Sequence, residues 1–116
     1  MDGICNICTD KMRNEKRRVP EIDYRSSRIC RVLGNPTAYQ IVKLLMRGGC
    51  TPSAIAVKLK LSVTTVSTVL RHLREIDLVR YENLREGKVY FIKDNKIAQV
   101  LGQLELLVKR LRSREY

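Results

Sequence analysis

Thr51-Pro52-Ser53-Ala54-Ile55-Ala56-Val57-Lys58-Leu59-Lys60-Leu61-Ser62-Val63-Thr64-Thr65-Val66-Ser67 is the stretch on which the reading of this 116-residue chain turns. Thr51 suits an N-cap because its hydroxyl accepts from an orphan N–H, and Pro52 suits the first helical turn because it has no N–H to leave orphaned. A short helix ending near Leu59 follows. Ser62 then caps a second helix, in which Val66, Val69, Leu70, Leu73 and Ile76 recur at helical spacing and face inward. Its opposite face carries Val63, Thr64, Ser67, Thr68 and Arg71, with Thr65 beside them. These side chains are small or hydrogen-bonding, with one cation toward the C-terminal half. An ordinary solvated helix face has the same composition, so the flanking elements must decide.

Downstream, Leu78-Val79-Arg80-Tyr81-Glu82 and Lys88-Val89-Tyr90-Phe91-Ile92 are rich in β-branched and aromatic residues and flank Arg85-Glu86-Gly87, which predicts a hairpin with glycine at the turn and Arg85 and Lys88 at its tip. Upstream, Ile22, Ile29, Val32 and Leu33 suit a first helix over residues 22–33, halted by Gly34-Asn35. Pro36 begins another with Ala38, Ile41, Val42 and Leu45 on one stripe, ended by Gly48-Gly49. Both helices are expected to pack into the core, with Cys30 a small hydrophobe in the first. Ile97, Leu101, Leu104, Val108 and Leu111, widened by Val100 and Leu107, make the last helix more apolar than one small domain needs. It is assigned to a dimer interface with help from the first helix, the alternative being that it packs within its own protomer. Helix, tight turn, helix and wing, in that order, define the expected class: mainly α with a β-hairpin wing, a dimeric winged helix-turn-helix. Three units are expected: a mobile basic, Cys-containing arm over residues 1–20, a DNA-binding core over 21–93 and a dimerisation helix over 94–116.

Charge supports this organisation. The chain has 23 Lys+Arg against 12 Asp+Glu and one His, a formal charge of +11. Residues 22–93 hold 13 of the basic and 5 of the acidic residues, so the arm with Lys11, Arg13, Lys16, Arg17 and Arg18 does not account for the excess. A surface of this sign attracts a polyanion, although charge also serves solubility alone. No run of 18 apolar residues and no apolar leader core occur, so a cytoplasmic protein with no membrane partner is expected. There the four cysteines are expected as thiols or metal ligands rather than structural disulfides.

Arg31-Val32-Leu33-Gly34-Asn35-Pro36-Thr37, followed by Ile41-Val42-Lys43-Leu44-Leu45, resembles the opening of the ArsR/SmtB family of winged-helix repressors. The resemblance continues in register through Ser62-Val63-Thr64-Thr65-Val66-Ser67, Leu73-Arg74-Glu75-Ile76-Asp77-Leu78-Val79 and the wing, over roughly residues 22–111. It implies a homodimeric transcriptional regulator, usually a repressor released from its operator by an effector, often a metal ion. The family's thiolate pair near the start of the third helix falls at Thr51 and Ser53 here. Its site on the last helix needs His and carboxylates, whereas the one His of this chain, His72, falls in the fourth helix and Glu105 is the only acidic residue between Asn95 and Leu111. The frequent Ser-Arg-His run of the recognition helix stands as Ser67-Thr68-Val69.

The cysteines keep a thiophilic-metal route open. Cys5 and Cys8 form a C-x2-C pair able to chelate one soft ion such as zinc, which wants about four ligands, with sulfur at ~2.3 Å. Some sensors of the family recruit thiolates from an N-terminal arm, which implies an arm closing over Cys50. The same pair also fits a reversible disulfide near Lys11 and Arg13, or no role at all.

An enzyme is not expected: there is no phosphate-binding glycine loop and no Ser/His/Asp set, and no βαβ unit follows the C-x2-C pair. The expected function is sequence-specific DNA binding by a homodimer on a pseudo-palindromic operator. Val63, Thr64, Ser67 and Thr68 stand toward the bases, Arg71, Arg85 and Lys88 toward phosphates, and Thr65 is counted with the DNA-binding face. A winged helix used only for protein interaction is the alternative.

Overall fold

The computed structural model describes residues 18–85 and 87–115, with side chains described to residue 112. Among the described residues, five helices and one hairpin follow in the order α1 (Glu21–Leu33), α2 (Pro36–Leu45), α3 (Pro52–Leu59), α4 (Val63–Glu75), β1 (Val79–Leu84), β2 (Gly87–Ile92) and α5 (Lys96–Glu115). Each helix start in the core carries its own local cause. Asn35 Oδ1 accepts from the N–H groups of Thr37 and Ala38 at 2.8 and 3.4 Å ahead of Pro36. Thr51 Oγ1 accepts from Ala54 N–H at 3.1 Å ahead of Pro52. Ser62 Oγ accepts from Thr65 N–H at 3.1 Å. Such caps satisfy donors that the first turn leaves without an intrahelical partner.

The tight turn between α3 and α4 is a Schellman closure. Leu61 N–H reaches Ala56 O at 2.9 Å, Lys60 N–H reaches Val57 O at 3.4 Å, and Lys60 itself lies at φ 58°, ψ 48°. Glycine usually occupies that left-handed position, so Lys60 carries backbone strain. The turn sends α4 off at 115° to α3, within the range of a helix-turn-helix. A second closure of the same kind ends α4: Leu78 N–H bonds Leu73 O and Asp77 N–H bonds Arg74 O, both at 3.0 Å, with Asp77 at φ 68°.

The core is one cluster. Ala38, Ile41, Val42 and Leu45 of α2 meet Ile55 and Ala56 of α3 and Val66, Val69, Leu70 and Leu73 of α4; Val79 and Tyr90 close it from the hairpin. The strands pair from Val79↔Ile92 to Leu84↔Gly87, with Tyr81 opposite Tyr90 and Gly87 at φ 110° in the turn. A backbone bridge fastens the hairpin to the segment before α3: Cys50 N–H donates to Tyr90 O at 3.0 Å and Tyr90 N–H to Cys50 O at 2.8 Å.

Three expectations need correction. No residue of α1 is buried, and Ile22 is 71% exposed, so α1 does not belong to the core; only Val32 and Leu33 lean on it. A groove of about 600 Å³ separates α1 from α4, lined by Tyr24, Arg28, Arg31, Val69, His72 and Glu75 among others. Cys30 lies exposed on α1 rather than packed. Third, the apolar seam of α5 is divided. Ile97 and Leu101 are 6% and 1% exposed and belong to the protomer's own core, whereas Val100, Leu104, Leu107, Val108 and Leu111 stand in solvent. The helix outruns the domain, so only its first turns find neighbours. The Cα radius of gyration is accordingly 18.4 Å, against about 13 Å for a compact domain of ~100 residues.

Candidate nucleic-acid interface

The outward face of α4 is presented as its spacing predicts. Val63, Thr64, Thr65, Ser67, Thr68 and Arg71 are all exposed, while Val66, Val69, Leu70 and Leu73 are buried behind them and fix the rotation of the helix. The face is not uniform in its free hydrogen-bonding capacity. Ser62 Oγ donates to Thr65 Oγ1 at 2.9 Å, so Thr65 serves the cap first. The Thr68 hydroxyl donates to Thr64 O at 3.0 Å and keeps its methyl and lone pairs for any ligand. The side chains of Thr64, Ser67 and Arg71 have no hydrogen-bond or ion-pair partner among the described residues, so their full capacity faces outward.

The wing carries the other cations. Arg85 is exposed in the loop. Lys88 sits one pair below the tip, opposite Asn83, with its Nζ 4.6 Å from the centre of the Tyr81 ring. Arg74, in the last turn of α4, has its guanidinium carbon 5.3 Å from the same ring. Sequence spacing misses Arg74 and Tyr81, because the contact joins a helix end to a strand and leaves no periodic signal.

Cys5 and Cys8 lie outside the described residues. Cys50 is half-buried, its Sγ 3.8 Å from Gly48 O. Among the described residues no three His, Cys, Asp or Glu side chains gather where a metal ion would sit. No single helix there is long and apolar enough to cross a membrane.

Fold and site together define a winged helix-turn-helix of the DNA-binding type. Residues 35–81 match the family model of bacterial regulatory proteins of the arsR family. The homodimeric winged helix-turn-helix DNA-binding domain of a possible ArsR-family regulator from Mycobacterium bovis superposes with a TM-score of 0.75 at 22% identity, covering 89% of this chain and 95% of that one. NolR from Sinorhizobium fredii gives 0.69 at 22% identity over 80% and 96% of the two chains, and HlyU from Vibrio cholerae 0.68 at 18% over 77% and 97%. No curated protein sequence matches the chain. The ArsR-type resemblance in the sequence is borne out over residues 35–81, which match the arsR-family model, and the solved structures share the winged helix-turn-helix fold.

Proposed function

We propose that the chain is a homodimeric, sequence-specific repressor, reading a pseudo-palindromic operator with the outward face of α4. The observation that carries this is the unpartnered row Thr64, Ser67 and Arg71 on a helix whose other side is locked into the core. Val63, with Thr64, Ser67 and Thr68, meets base edges in the major groove, while Thr65 serves the cap; a valine or threonine methyl suits a thymine methyl and a hydroxyl suits either donor or acceptor. Arg71, Arg85 and Lys88 meet phosphates and set register without carrying sequence information.

Dimerisation is supported by what one protomer leaves uncovered. Val100, Leu104, Leu107, Val108 and Leu111 form an apolar face along α5, and α1 exposes Ile22 and Tyr24. A contiguous apolar face of this kind on a small domain calls for a partner. The Mycobacterium bovis relative is homodimeric. In a symmetric pair the two α4 helices enter successive major grooves roughly 34 Å apart.

Control by a thiophilic metal requires Cys5 and Cys8 together with Cys50, since the described residues supply no ligand set of their own, whereas control by oxidation requires only a reversible Cys5–Cys8 disulfide. The deciding experiment is selection of the full chain, reduced and with chelator-free metal content measured, against a random duplex pool. A recovered inverted repeat supports the reading. A pool without consensus supports the winged helix as a protein-interaction module instead. Metal release or oxidation that changes affinity for the recovered duplex places control at the cysteines.

A further inference from the structure

Tyr81 is a half-buried tyrosine between two cations from different elements. Arg74 comes from the last turn of α4 and Lys88 from β2, at 5.3 and 4.6 Å from one ring. Tyr90 also contacts that ring, centroid to centroid 5.4 Å at an interplanar angle of 42°. Tyr90 is itself immobilised, 8% exposed and bridged through its backbone to Cys50. The ring is thus anchored to the segment that opens the helix-turn-helix.

Neither Arg74 nor Lys88 has a carboxylate partner among the described residues; the ion pairs there include Arg25 with Glu21, Lys43 with Glu105 and Lys93 with Asp77. Two like charges gathered at one ring repel each other, and the negative ring face offsets that repulsion without cancelling the charge. What results is positive charge between the recognition helix and the wing that no carboxylate among the described residues neutralises. Long cationic side chains lose rotamer freedom when they bind, and stacking has already removed much of it, so an anion met here is bound at lower entropic cost.

We infer that Tyr81 is a positioning residue for DNA, holding Arg74 together with Lys88 as phosphate contacts and thereby setting the wing relative to α4. This rests on the DNA-binding reading above. A cation in the last turn of a helix also suits the helix dipole, but that role leaves the salt dependence of DNA binding untouched.

The test is fluorescence anisotropy of the full chain on a labelled mixed-sequence duplex over a series of salt concentrations, beside thermal melting of each variant. Arg74→Gln and Lys88→Gln each reduce the slope of log affinity against log salt by about 0.9. Tyr81→Phe keeps the ring and behaves as the parent chain. Tyr81→Leu weakens binding by about three- to ten-fold and lowers the slope without altering sequence preference. Tyr81→Thr, which keeps strand propensity, replaces it if Tyr81→Leu loses the fold. An unchanged slope in Arg74→Gln, or equal defects in Tyr81→Phe and Tyr81→Leu, overturns the inference. Salt-independent binding by the parent chain overturns the DNA-binding reading itself.

Discussion

The Tyr39 hydroxyl donates to Glu105 Oε2 at 2.8 Å, joining α2 to α5 across 66 residues of sequence. Lys43 Nζ approaches the same oxygen at 2.9 Å, so one carboxylate on α5 is gripped by two residues one turn apart on α2. The hydrogen bonds from Lys43 and then Tyr39 hold the Glu105 carboxyl below its ordinary range, and burial followed by the bond to Glu105 pushes the Tyr39 phenol up to about 12. This contact lies just beyond Ile97 and Leu101, where α5 leaves the core.

A pH window follows. Glu105 is depressed in the folded state, so its contribution is present above the unfolded carboxylate value and lost as pH falls through the folded one. Tyr39 is raised, so its contribution is complete below the ordinary phenol value and lost as pH rises toward about 12. The α2–α5 contact is therefore intact between about pH 5 and about pH 10. Thermal melts across pH 3 to 11 should show the gap between the parent chain and Glu105→Gln closing toward acid; a gap that widens there contradicts the assignment.

Lys60 occupies a left-handed position without the freedom of glycine. Lys60→Gly should raise unfolding stability by ~1 kcal/mol, seen as a higher urea midpoint at unchanged m. A lower midpoint would mean that the Lys60 side chain contributes more than its backbone strain costs.

The two halves of the α5 seam should separate experimentally. Leu101→Ala removes a side chain 1% exposed and should cost ~2–5 kcal/mol. Leu107→Glu alters a side chain that stands in solvent on one protomer and should shift sedimentation from dimer to monomer. Retention of the dimer in Leu107→Glu places the interface elsewhere.

Arg71 is assigned to phosphate. Arg71→Ala should weaken binding to every duplex about equally and flatten the salt slope by about 0.9. A change in base preference would move Arg71 to the base-reading set.

The helix-turn-helix is legible in the sequence because its boundaries rest on local chemistry. Asn35-Pro36, Thr51-Pro52 and Ser62 cap helices through contacts spanning two or three residues, and the stripe from Val66 to Leu73 sets which face of α4 is outward. Apolar periodicity cannot distinguish a protomer's own core from a surface awaiting a partner, which is why pattern alone misplaces α1 and does not divide the seam of α5, and exposure corrects both. The left-handed Lys60 and Asp77 carry no glycine to mark them. Arg74, Tyr81 and Lys88 meet only once the hairpin folds back on α4, so nothing in their spacing announces them.

The measurement that bears most directly on the central claim is the ratio of affinities of the full chain for a duplex selected from a random pool and for its scrambled counterpart, repeated with Ser67→Ala. An operator-reading α4 predicts a ratio of about 10³ or more at physiological salt. Loss of the unpartnered Ser67 hydroxyl should reduce the discrimination by about 1–3 kcal/mol while leaving the salt slope unchanged. A ratio near unity in the parent chain, or an unaltered ratio in Ser67→Ala with the fold intact, would contradict the account.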